Sequence, residues 1–156
     1  MSAVVDSLAE HAQARARSAE HWIVLVGSWI AVLGLAGFGL ALHPDPRGYG
    51  THEQLGFQPC LPLRLWNVPC PGCGVTTAVT LAVRGQPLAS LRAQPLGLVV
   101  VAVVLAFALW ATARQRAGAD LWREFRALPW RRAGLGLGAF ALAAWAYKIA
   151  VVRGWI

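Results

Sequence analysis

Leu96-Gly97-Leu98-Val99-Val100-Val101-Ala102-Val103-Val104-Leu105-Ala106-Phe107-Ala108-Leu109-Trp110-Ala111-Thr112-Ala113 runs without a charged residue. Crossing about 30 Å of hydrocarbon takes ~20 apolar residues wound as helix, because lipid offers the backbone no hydrogen-bond partners. This run approaches that length. Two others do the same: Ile23 to Leu42, also uncharged, and Ala133 to Val152, whose only charge is Lys148. Near a helix end a lysine is expected to snorkel its ammonium to the interface.

The composition agrees. Of 156 residues, 57 % are hydrophobic and 13 % charged, against roughly 25 % charged in an average soluble domain. Eight tryptophans suit a chain with two water–lipid boundaries. The expected fold is all-α and integral to the membrane: one domain over residues 1–156, with three transmembrane helices and a long cysteine-bearing loop from 43 to 95. The first apolar run is longer than a signal-peptide core and follows a polar stretch, so it reads as an uncleaved anchor.

The net charge of +7 is distributed by loop, and this argues against nucleic acid as the partner. Arg114, Arg116, Arg123, Arg126, Arg131 and Arg132 lie between the second and third runs, and Arg15 and Arg17 precede the first. Arginine-rich loops stay in the cytoplasm. The expected topology has a cytoplasmic N-terminus, an extracytoplasmic cysteine loop and a location in the bacterial inner membrane. The expected partners are the lipid bilayer and other membrane proteins.

Several local signals sit around the spans. Ser7 and Glu10 fit a capping box for a leader helix, with His11 and His21 flanking it in solvent. Leu121, Trp122, Phe125 and Leu128 recur at helical spacing, with Arg123 and Arg126 on the other side. This reads as an amphipathic helix on the cytoplasmic leaflet, with Trp122, Phe125, Arg123 and Arg126 at the membrane interface. Gly134 and Gly138, like Gly27 and Ala31, form small-xxx-small pairs suited to close helix packing. Gly74 to Val83 is apolar but too short to span, so it reads as an interfacial or re-entrant helix packed on the spans. No acidic residue lies within a span, which argues against an ion or proton relay.

The chemistry-bearing motif is Cys70-Pro71-Gly72-Cys73-Gly74. Pro71 presets the first turn position and Gly72 suits a positive φ at the second. A helix beginning near Gly74 points its positive end at Cys73, which favours the thiolate there. Three readings stay open. Cys70 and Cys73 form a structural disulfide stapling the loop. Alternatively Cys73 and Cys70 exchange disulfides or relay electrons, with Cys60 as resolving thiol. Alternatively Cys60, Cys70, Cys73 and His52 hold a metal, since zinc takes four N or S donors. No cofactor signature accompanies them. As an exchanger the protein acts as an enzyme; as a stapled loop it is an accessory subunit of a larger membrane complex.

The stretch from Pro59 to Leu98 resembles a bacterial membrane-protein family catalogued as domain of unknown function 2752. Its hallmark is an upstream Cys, a Cys-Pro-x-Cys-Gly-x-Thr-Arg-Ala run, a later Gly, and an Asn-Pro-Leu opening a span. The matching residues are Cys60, then Cys70-Pro71-Gly72-Cys73-Gly74-Val75-Thr76-Thr77-Ala78, Gly85, and Gln94-Pro95-Leu96. Thr77 stands at the Arg and Gln94 at the Asn. The resemblance implies a small multi-span fold with the cysteine motif beside the membrane. It implies no reaction.

Overall fold

A computed structural model describes residues 19–155; the capping box at Ser7, His11 and the two leader arginines lie outside them. The described residues are all helical, with no strand. Three helices are long and apolar enough to cross a membrane: α1 (Ala19–Ala41), α5 (Pro95–Arg116) and α7 (Trp130–Val152). With 22 or 23 residues each, they are about 33 Å long or slightly more. Their faces carry exposed Ile30, Leu33, Val103, Leu109, Leu135 and Leu142, the surface expected where lipid is the solvent.

Between α1 and α5 the chain makes a 3₁₀ turn, Thr51–Leu55, and three short helices: α2 (Leu61–Trp66), α3 (Val75–Val83) and α4 (Pro87–Ala93). Proline sits in the first turn of α2, α4 and α5, where its missing N–H costs nothing. After α5 comes α6 (Leu121–Ala127), then α7.

Helix α3 packs against both α1 and α5, as a short apolar helix at the bilayer must. Two glycines make this possible. A Cβ on Gly39 would stand 2.8 Å from Val83 Cβ, and one on Gly97 would stand 2.5 Å from Ala78 Cβ. The seam was expected elsewhere. Gly27, Gly134 and Gly138 have nothing within 4 Å of where a Cβ would stand, so the small-xxx-small pairs do not mediate close packing among the described residues. Residues Trp130 to Phe140 of α7 are all exposed.

The ends of the bundle are held by polar side chains. At one end His21, expected in solvent, is 1 % exposed. Its Nδ1 accepts from the Leu121 N–H at 3.2 Å and its Nε2 meets Gln115 Oε1. Asp120 caps α6 by accepting from the N–H groups of Trp122 and Arg123, and Arg114 pairs with Glu124. Part of the α6 stripe thus packs on protein: Leu121 fully, Trp122 and Phe125 in part. Leu121 is buried beside Val24 and Ala111, with Trp122 and Phe125 packed against that cluster. Arg123 and Arg126 remain exposed. Helix α6 is held against the ends of α1 and α5, so its apolar side meets the spans there.

At the other end Arg84 donates to the carbonyls of Gly39, Leu40 and Leu42 at 2.8–3.2 Å. It satisfies the last carbonyls of α1, which no intrahelical N–H reaches, with a cation where the helix dipole favours one.

Candidate functional site

The thiol site lies at the Arg84 end, opposite the arginine-rich end. Its turn is closed by the Cys73 N–H donating to Cys70 O at 2.9 Å. The positive φ falls on Gly74 (φ 89°), the N-cap of α3, and not on Gly72. Gly74 is needed twice: it adopts the left-handed conformation, and a Cβ there would meet Gly48 O at 2.6 Å.

Polar contacts seat the turn against three elements. Trp145 Nε1 on α7 donates to Pro69 O at 2.7 Å. Gln94 Nε2 reaches Pro71 O at 3.4 Å, leaving buried Gln94 Oε1 without a partner among the described residues. Thr77 is fully buried and shares a 2.8 Å hydrogen bond with Thr51 Oγ1. Thr51 Oγ1 in turn accepts from the Asp45 N–H. A hydroxyl here ties α3 to the 3₁₀ turn.

Lys148 is the largest departure from expectation. It does not snorkel. It is 1 % exposed, and its Nζ donates to Gly48 O at 3.0 Å and Ala93 O at 2.9 Å. It lies 5.5 Å from the centre of the Tyr49 ring. Burying an ammonium is costly without such partners. The side chain thus pins α7 to the loops that flank the thiol turn. Tyr147 adds a hydrogen bond to Arg92 O at 3.1 Å.

All three cysteines are free thiols. Cys60 and Cys70, half-buried, approach to 3.6 Å, and Cys60 also interacts with Cys73. Cys60 therefore stands as a neighbour of Cys70. Burial pushes the Cys60 thiol up, but the backbone N–H groups of Cys70 and Leu63 and the thiols of Cys70 and Cys73 outweigh it and hold Cys60 below its ordinary value. Burial and the neighbouring Cys60 push Cys70 up. Burial, then the charges of Cys60 and Cys70, push Cys73 up to about 12, against the pull of Lys148. Cys73 was expected to be the more acidic thiol of the Cys70–Cys73 pair, whereas burial pushes it up to about 12. Desolvation of the buried Cys73 sulfur exceeds the attraction of a nine-residue helix terminus.

His52 does come beside the thiols. With Cys60 and Cys73 it borders two cavities, of about 260 Å³ and 390 Å³. The first is also lined by Arg47, Tyr49 and Arg64, the second by Cys70 and Thr76. Among the described residues, however, no group of three or more His, Cys, Asp or Glu side chains is placed to hold a metal ion. All three thiols border these cavities, Cys60 and Cys73 both of them and Cys70 the second, with Cys73 the most buried of the three.

Residues 60–108 match the family model described as protein of unknown function, DUF2752. The resemblance read from the motif holds over that stretch, which carries all three cysteines, α2, α3, α4 and more than half of α5. No curated protein and no solved structure matches the chain.

Sequence reasoning missed three residues that build the site: Lys148, Arg84 and Thr51. Lys148 carried a signal, as a lone charge in an apolar run. Arg84 and Thr51 carried none, because their partners are backbone or hydroxyl groups distant in sequence.

Proposed function

We propose that this protein is a small bacterial inner-membrane protein that exchanges disulfides, or relays electrons, at an extracytoplasmic thiol site. The observation that carries the reading is the approach of Cys60 and Cys70 to 3.6 Å, with opposite perturbations of the two thiols. A lowered thiol supplies the attacking thiolate, and its neighbour resolves the product.

The steps balance without a cofactor. The Cys60 thiolate attacks one sulfur of an incoming disulfide, forms a mixed disulfide and expels the other sulfur as a thiolate. Cys70 gives up its proton and attacks Cys60 Sγ. A Cys60–Cys70 disulfide forms, and the second substrate sulfur leaves as a thiol. Two electrons pass from the protein to the substrate disulfide; the Cys70 proton ends on the second product sulfur, and the first leaves as a thiolate carrying the charge that Cys60 brought. Cys73 stays protonated.

The test is a redox titration of the chain in membranes, read by mass-labelled alkylation. An exchanging pair is expected to titrate near or above the glutathione potential, with Cys60 and Cys70 responding together. Cys70→Ser is expected to accumulate mixed disulfides through Cys60. A Cys70–Cys73 bond, or any bond resisting reduction below ~−300 mV, would overturn the exchange reading in favour of a structural staple. Stoichiometric zinc on reduced thiols would overturn both.

A second reading, an accessory subunit of a larger membrane complex, draws on α7. Its exposed first half carries Leu135 and Leu137 on a helix whose glycines meet no neighbour among the described residues, a surface suited to another helix.

A further inference from the structure

We propose that α2 is an interfacial anchor, seated by its apolar face in the headgroup–acyl boundary of the bilayer at the thiol end of the spans. This does not rest on the exchange chemistry. Cys60 is the N-cap of α2, so the anchor fixes where that thiol meets its surroundings.

The face itself is plain. Leu61 and Leu65 stand one turn apart on α2, 61 % and 60 % exposed, with Trp66 beside them at 68 % and Phe57 just ahead at 63 %. No other helix among the described residues packs broadly on α2. A contiguous apolar patch of this kind marks an interaction surface.

Its level relative to the spans selects the occupant. The thiol turn does not stand clear of the bundle. Pro69 O receives Trp145, and the flanking loops receive Lys148. Trp145 and Lys148 lie about 10 Å and about 6 Å before the Val152 end of α7 at ~1.5 Å per residue. Cys70 is thus level with the last two turns of a span, and Cys60 touches Cys70. The chain therefore enters α2 level with the last turns of α7, near the end of the spans. Two further residues mark that boundary. Trp155, 66 % exposed, follows α7 with Arg153 over its ring, and Arg64 on α2 is exposed. Indole rings and arginines concentrate where hydrocarbon meets headgroups.

The experiment is a depth measurement. A spin label is placed at Leu65→Cys in a chain with Cys60, Cys70 and Cys73 changed to Ser, reconstituted in phosphatidylethanolamine–phosphatidylglycerol vesicles. Collisions with oxygen, which partitions into lipid, are compared with collisions with a water-soluble nickel chelate. Oxygen collisions exceeding chelate collisions are expected. The reverse ratio would mean that the face stands in water. Weak collisions with both would mean that protein, a second copy included, covers it. Either result overturns the proposal. A second measurement keeps the native thiols: brominated lipid should quench wild-type tryptophan emission more than that of Trp66→Phe. Equal quenching would count against the anchor.

Discussion

The Cys73 thiol sits where the aligned amides of α3 favour negative charge, yet burial pushes it to about 12. That has a consequence for stability. The folded value lies above the ordinary 9.0, so as pH rises the unfolded chain loses this proton first. The stability contributed by the buried neutral thiol is complete below about pH 9 and is lost progressively toward about pH 12. The thermal midpoint in detergent micelles is expected to fall over that range, and to fall less in Cys73→Ala. Equal slopes in the two proteins would remove Cys73 as the cause. The same residue marks a limit of reading the motif. The Cys-x-x-Cys spacing located the thiols, and the helix start at Val75 was anticipated, but the ranking of the thiols depends on Cys60 and on the burial of Cys73. Neither is a property of the spacing.

At the scale of elements, the two helix glycines that permit close approach among the described residues, Gly39 and Gly97, both face α3. A Cβ on Gly97 would meet Val75 O at 2.9 Å as well as Ala78 Cβ, and a backbone oxygen inside a helix cannot swing aside. Gly97→Ala is therefore expected to cost about 1–3 kcal/mol of stability in micelles. Gly134→Ala, facing open space, is expected to cost nothing measurable. The reverse ranking, read from denaturation midpoints, would place the packing seam on α7. Periodicity could name glycines able to pack but not those that do, because a small-xxx-small pair is defined by its own helix and a seam by its partner. Helix α6 makes the same point: its amphipathic stripe was legible, while His21, which ties it to α1, was read as a solvated residue.

For the whole molecule, the His21–Leu121 contact and the Lys148–Gly48 contact lie at opposite ends of the three spans. The six arginines from Arg114 to Arg132 thus cluster away from the thiol site. If the positive end is cytoplasmic, reporters fused after residue 120 are expected to read inside, and those after residues 50 and 156 outside. Periplasmic labelling at residue 120 would invert the orientation and put the thiols in a reducing compartment.

By itself the sequence determined that this chain has three helices long and apolar enough to span, where they run, and that its three cysteines sit in the loop between the first two. Those follow from runs of apolar residues and from the rule that lipid leaves backbone groups no outside partner. Only the tertiary structure decided that Cys60 joins Cys70, that Cys73 is the buried thiol, that Lys148 turns inward to Gly48 and Ala93, and that Arg84 caps α1. Each of these is a contact between residues far apart in the chain, or a desolvation set by what packs above them. Such interactions leave no period in the sequence and exist only once the helices have been brought together.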